Sequence, residues 1–389
     1  MIDYSKVLNT TVKEIKPSGI RRFFDIAATM DDVISLGVGE PDFQTPWQIR
    51  KAGINSLQRG KTKYTSNKGQ MELLSEISNY MKRKYNLSYN SETQVLVTVG
   101  GSEAIDAAIR AIVTDGDEVI IPQPSYVCYE PITRLAGGKP VIINTKAEND
   151  FKVTPQELRN AITDKTKLLI LPYPCNPTGA IMESEDLVAL EKVLRDTNIM
   201  VLSDEIYAEL TFGGKTHVSP ASIDGMYERT ITINGFSKSF SMTGWRLGFA
   251  CGPEAIMEQI LKIHQFAIMC APTTSQYAAI EALKNCDEEV QYMLNEYNMR
   301  RRIMVAGFNK IGLSCRELKG AFYAFPSIKS TGMTSEEFCD KLLFSKKVAV
   351  VPGTAFGDSG EGFIRASYCY SVEHINEAIK RIGEFLKEL

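Results

Sequence analysis

The chain has 389 residues, 44% of them hydrophobic, and a formal net charge of −3, long enough for more than one structural unit with large buried cores. So small a net charge exerts no strong pull toward nucleic acid or an anionic membrane, and short basic runs such as Lys82-Arg-Lys84 and Arg300-Arg-Arg302 read as solvated helix faces. No apolar run approaches the length of a membrane span, and Met1-Ile-Asp-Tyr-Ser-Lys6 lacks the apolar core of a signal peptide.

Apolar, strand-like runs follow one another at 95–99, 118–121, 140–144, 168–172, 198–203, 229–234 and 247–251. Helical stretches separate most of them, among them Glu103 to Val113, Pro155 to Ala161 and Ser184 to Asp196. That rhythm predicts an α/β fold with a mostly parallel sheet sandwiched by helices. After Pro253 come longer helical signals, Glu254 to Met269 and Thr274 to Ile311, then a smaller α/β segment ending in the amphipathic stretch Val372 to Leu389. No repeat, low-complexity tract or linker interrupts the chain.

Four segments carry chemistry. Gln94-Val-Leu-Val-Thr-Val-Gly-Gly-Ser-Glu-Ala-Ile105 reads as a strand, a diglycine turn and a helix start. Backbone N–H groups and the helix dipole there suit an anion, although such turns often hold nothing. Leu168 to Gly179 is an apolar strand followed by a proline-rich loop with Asn176, which simple turn chemistry also explains. Asp204 follows a strand-like run, where a carboxylate faces the ligand side of an α/β sheet. It could equally cap a helix over Glu205-Ile-Tyr-Ala-Glu-Leu210. In Asn234-Gly-Phe-Ser-Lys-Ser-Phe-Ser-Met-Thr-Gly-Trp-Arg-Leu-Gly-Phe249, Lys238 sits between two serines with Arg246 eight positions on. A neutral lysine can capture an aldehyde, and a hydroxyl with an arginine fork can bind phosphate. Pyridoxal phosphate (PLP) requires both. A lone lysine in a loop is otherwise an ordinary solvated side chain.

The eight cysteines (Cys128, Cys175, Cys251, Cys270, Cys286, Cys315, Cys339, Cys369) form no C-x-x-C pair and read as free thiols of a reducing cytoplasm. His217, His264 and His374 are widely spaced, so neither a His-based metal site nor a Ser-His-Asp triad is expected.

Together these segments resemble the class I/II aminotransferases, the fold-type I PLP enzymes related to aspartate aminotransferase. Further stretches resemble family motifs in the family's order: Ser35 to Pro46, Lys63 to Gly69, Gly320-Ala-Phe-Tyr323, Val348 to Gly353 and Phe363 to Tyr368. The resemblance covers nearly the whole chain. It implies PLP as cofactor, an amino acid and a 2-oxo acid as substrates, a homodimer with shared sites, and no nucleic-acid or membrane partner. Residues 1–28 would form an arm and lid, 29–45 with 283–389 a small mobile domain, and 46–282 the large PLP-binding domain.

Lys238 would be the Schiff-base lysine and the base that moves the substrate proton. Asp204 would hold the pyridine nitrogen protonated, Asn176 and Tyr207 would bond the ring oxygen, and Tyr126 would stack on the ring. Gly100, Gly101, Ser102, Ser237 and Arg246 would bind the phosphate, with Tyr64 reaching in from the partner subunit. Arg365, Asn176 and the backbone of Gly39 would hold the substrate carboxylate.

Some aspartate-preferring relatives carry a lysine directly after the diglycine, where this chain has Ser102, and between Ile263 and Thr274 only His264 stands out as a replacement cation. The segment Ser18-Gly-Ile-Arg-Arg-Phe-Phe-Asp25 looks closer to relatives acting on aromatic or other bulky donors, including acetylated diaminopimelate. The implied activity is broad transamination with 2-oxoglutarate as acceptor. Two rivals are a carbon–sulfur β-lyase of the same fold and a regulator module, the latter disfavoured because the pattern begins almost at once.

Overall fold

The computed structural model describes residues 2–17, 19–20 and 30–389. Of the lid segment read from the sequence, Ser18 and Arg21 to Asp25 lie outside the described residues. Twelve strands occur among the rest: β1 (Ile34–Ser35), β2 (Val95–Thr98), β3 (Glu118–Gln123), β4 (Lys139–Asn144), β5 (Thr166–Leu171), β6 (Met200–Asp204), β7 (Thr230–Gly235), β8 (Gly248–Cys251), β9 (Tyr323–Ala324), β10 (Val348–Ala349), β11 (Val351–Pro352) and β12 (Ile364–Ser367).

Seven of them form one sheet in the order β2-β8-β7-β6-β5-β3-β4. Every pairing is parallel except the two made by β8. The sequence explains this. Leu168, Leu169, Ile170 and Leu171 in β5 and Val201 and Leu202 in β6 are all buried. Continuous apolar runs of this kind suit strands covered on both faces. The expected α/β fold with a mostly parallel sheet is the one observed. The sheet's C-terminal edge carries Thr98, Gln123, Leu171, Asp204 and Gly235, each leading into one of the loops that the sequence singled out.

A second apolar core joins the two ends of the chain. Ile34 and Leu36 pack with Phe308, Phe338, Leu342, Ile375 and Ile382. β1 pairs in parallel with β10, Ile34 opposite Val348, and β11, β12 and β9 form a small antiparallel sheet. The final helix, Val372–Lys387, buries Ile375, Ala378, Ile379, Ile382 and Phe385. Its start is capped by Ser371, whose hydroxyl accepts from the His374 N–H at 3.2 Å.

Two local readings change. The helical signal from Thr274 to Ile311 is two helices, Thr273–Asn285 and Asp287–Lys310. They break at Cys286 (φ −117°, ψ 25°), and Asp287, Glu288 and Glu289 open the second, where negative charge favours a helix N-terminus. Residues 206–209 form turns, with bonds from Ala208 N–H to Glu205 O and from Leu210 N–H to Tyr207 O. Asp204 therefore caps no helix. Its Oδ1 instead accepts from Ile206 N–H two residues on, at 3.2 Å. No described helix is long and apolar enough to cross a membrane.

Candidate active site

A cavity of about 320 Å³ opens at the C-terminal edge of the large sheet. Eleven predicted site residues line it: Gly39, Gly101, Ser102, Tyr126, Asn176, Asp204, Tyr207, Ser237, Lys238, Arg246 and Arg365. Gly100 lies beside it under the Arg246 guanidinium. Tyr64 does not join them. It is 80% exposed on a separate surface loop.

Lys238 enters from the turn after β7 and donates from Nζ to the Gly39 carbonyl at 2.6 Å. Burial pushes its amine down to about 8, and Arg365 and Arg246 act in the same direction against Cys369 and Glu40. With its amine near 8, about a tenth of Lys238 is neutral at pH 7, a few hundredfold more than an ordinary lysine at 10.5 would be, and the neutral form is the nucleophile toward a carbonyl.

Asp204 ends β6 and is 7% exposed. Oδ2 accepts from the Tyr129 hydroxyl at 2.6 Å. Burial raises its pKa, while Tyr129 and the Ile206 N–H oppose that shift. Among the described residues no cation pairs with it. A buried carboxylate that faces a cavity without a counter-charge fits a protonated ring nitrogen.

The anion end is built around Gly100 and Arg246. Gly100 has φ +80°, and a Cβ there would lie 2.8 Å from Arg246 Nη2. A side chain there would strain the backbone and displace the guanidinium from its place above the first turn of helix Gly101–Ile112. Arg246 itself adopts φ 51°, a costly conformation for a non-glycine residue. Its Nη1 is steadied by the Thr243 carbonyl at 3.1 Å. Ser102 and Ser237 add hydroxyls at the same end. A helix N-terminus, two hydroxyls and an arginine fork are groups that suit a phosphate.

Arg365 on β12 is 2% exposed. Its Nη1 donates to Asn176 Oδ1 at 2.9 Å and its Nη2 to the Gly37 carbonyl at 2.5 Å. The guanidinium lies between the Tyr323 and Phe356 rings, 4.4 and 4.8 Å from their centroids. Its Nε has no partner among the described residues. A buried cation with an unused donor is suited to a carboxylate ligand.

Two residues of the site were not picked out from sequence. Tyr129 holds Asp204. Tyr323 hydrogen-bonds Tyr207, hydroxyl to hydroxyl, at 2.8 Å. It also explains Gly39, because a Cβ at that position would lie 2.1 Å from the Tyr323 hydroxyl. His264, the candidate replacement cation, is fully buried and pairs through Nδ1 with Glu103 at 2.5 Å. It does not line the cavity.

The donor set fits PLP: a buried amine, a carboxylate for the ring nitrogen, an aromatic side chain and a phosphate cradle around one cavity. The family model described as aminotransferase class I and II matches residues 31–382. The Bacillus subtilis protein YugH is 52% identical over 97% of this chain and 98% of its own length. The aspartate aminotransferase of Pyrococcus abyssi is 45% identical over 96% of this chain and 97% of its own. An aromatic aminotransferase from Pyrococcus horikoshii has a solved structure with TM-score 0.90 and 42% identity, covering 95% of this chain and 99% of that one. The chain belongs to the class I and II aminotransferases and is a PLP-dependent transaminase.

Proposed function

We propose that this enzyme transfers the amino group of a broad set of L-amino acids, aromatic donors included, to 2-oxoglutarate, and works as a cytoplasmic homodimer with shared sites. The observation that carries this reading is that Lys238, with an amine near 8, and the buried Arg365–Asn176 pair face the same cavity.

Bound PLP supplies an electron sink for the bonds at the substrate's Cα. Arg365 and Asn176 orient the substrate carboxylate, and Lys238 Nζ carries the proton to and from Cα. Asp204 keeps a positive ring nitrogen favourable. Tyr126 would cover one ring face, and Tyr207, held by Tyr323, would offer its hydroxyl to the ring oxygen. Gly100, Gly101, Ser102, Ser237 and Arg246 hold the phosphate.

A broad donor range finds support in the lining. Its cations are Lys238, Arg246 and Arg365, all used by the roles above, and His264 is turned away. No further described lining cation waits for a side-chain carboxylate. Relatives named for aspartate and for aromatic substrates are similarly identical to this chain. The dimer finds support in Tyr64, whose ring is 80% exposed on a loop away from the cavity of its own subunit. The six cysteines that are buried and unpaired suit a reducing compartment.

A donor screen against 2-oxoglutarate, with the cofactor absorbance followed and products identified, tests the reading. Glutamate formed from aromatic donors supports it. Pyruvate and ammonia from a cysteine-type donor, without glutamate, would replace it with β-elimination.

A further inference from the structure

A second cavity, of about 240 Å³, lies behind the loop that bears Asn176. One wall is Thr178 to Ile181, directly after Asn176, with Phe151 and Lys152 beside it. The other is Ser314 and Arg316 to Lys319 with Phe325 and with Phe363, which stands two residues before Arg365. The walls are tied together, since Gly320 N–H and Lys319 N–H both donate to the Gly179 carbonyl, at 2.9 and 3.2 Å. Both members of the Arg365–Asn176 pair therefore sit within two residues of a wall of this cavity.

Its chemistry differs from that of the active site. The floor is aromatic: Phe325 and Phe363 stack at 5.1 Å with planes 5° apart, and Phe151 meets both edge-on. Four cations line it, Lys152, Arg316, Lys319 and Lys329. Two are already matched. Lys152 bonds Asp186 and Glu183, and Arg316 bonds Asp150. Lys319 and Lys329 have no carboxylate partner among the described residues, and Lys329 Nζ stands 5.2 Å above the Phe363 ring. The acidic Glu317 is drawn to Arg301 instead. The cavity thus pairs an aromatic lining with two lysines held in no ion pair among the described residues, Lys319 and Lys329, of which Lys319 feels Glu183 only at longer range, the makings of a site for a small amphipathic anion.

We propose that this cavity binds a small carboxylate with an aromatic or apolar body, and that its occupancy adjusts the Asn176–Arg365 clamp. The coupling rests on the reading of that pair as the substrate-carboxylate clamp; the binding does not. Coupling of this kind is reciprocal: an occupant that changes donor affinity has its own affinity changed by the same factor.

The probe is 3-phenylpropanoate, which lacks the amino and keto groups needed for turnover, titrated into the holoenzyme by calorimetry and used as an effector in initial-rate kinetics. The expected result is two binding events. One competes with the amino donor at Arg365. The other does not, and it shifts donor KM severalfold with little change in kcat. In the double variant Lys319→Glu/Lys329→Glu the second event should weaken at least about tenfold, while donor kinetics without probe stay as in the wild type. Ser314→Trp, which narrows the exposed mouth without altering charge, should weaken the same event. A single, fully competitive event in the wild type overturns the site, as does a second event indifferent to both variants. Binding that leaves donor KM unmoved overturns the coupling. Because binding is read without turnover, none of these outcomes bears on the transaminase reading, which fails or stands on the donor screen.

Discussion

Tyr129 donates its phenolic hydrogen to Asp204 Oδ2 across 2.6 Å, so a residue six positions past β3 steadies the carboxylate that ends β6. The bond favours the ionised carboxylate that burial disfavours. Tyr129→Phe should leave the fold intact and weaken PLP retention about tenfold or more, since a hydrogen bond to a charged group contributes roughly 1.5–3 kcal/mol. Equilibrium dialysis of the cofactor measures this. Unchanged retention would make the contact incidental.

Asp204→Asn removes the charge and keeps the shape. If Asp204 stabilises a positive ring nitrogen, the rate should fall by about two orders of magnitude or more, on the order of 3 kcal/mol. Steady-state kinetics on the reconstituted variant decide it. A rate near that of the wild type would leave Asp204 only its structural bonds to the Tyr129 hydroxyl and the Ile206 N–H.

Lys238 makes apoenzyme stability depend on pH. Its amine lies near 8 in the fold against an ordinary value of 10.5. Between those values the unfolded chain keeps the proton and the folded chain does not, so stability from this group rises with pH across that window. Below about 8 the full cost of burying the charge applies, on the order of 3 kcal/mol. Relative to Lys238→Met, the wild-type apoenzyme should be less stable near neutral pH, and the gap should close as pH nears 10.5. Urea unfolding at both ends of the window checks the sign; a gap that ignores pH contradicts it.

Tyr64 tests the shared site. Tyr64→Ala and Lys238→Ala should each be inactive or nearly so. When their subunits exchange, a mixed dimer would place both lesions in one site and leave the other complete. Recovered activity is the expected outcome. No recovery after proven exchange, or a fully active monomer by light scattering, would count against it.

Much of the large sheet was legible because strands such as β5 and β6 carry continuous apolar stretches, Leu168 to Leu171 and Met200 to Leu202, and burial on both faces demands that pattern. β1, β9, β10 and β11 are two residues long, too short to show any period. The break at Cys286 leaves no mark in the sequence pattern because helix-forming residues continue on both sides of it. Asp204, Asn176, Lys238 and Arg246 could be singled out because each follows a strand end or flanks glycine and serine. Tyr129 and Tyr323 could not, because their contacts cross 75 and 116 residues of chain. Tyr323 stood inside a recognised motif, Gly320-Ala-Phe-Tyr323, with no role attached. Its partner relationship with Gly39 exists only in three dimensions.

The central claim is that Lys238 is the residue that holds PLP. Reduction of the holoenzyme with borohydride fixes the cofactor to its lysine, and peptide mapping by mass spectrometry then locates it. The account predicts a pyridoxyl group on the peptide containing Lys238 and none there in Lys238→Ala. A pyridoxyl group on any other lysine of the wild-type enzyme would contradict it.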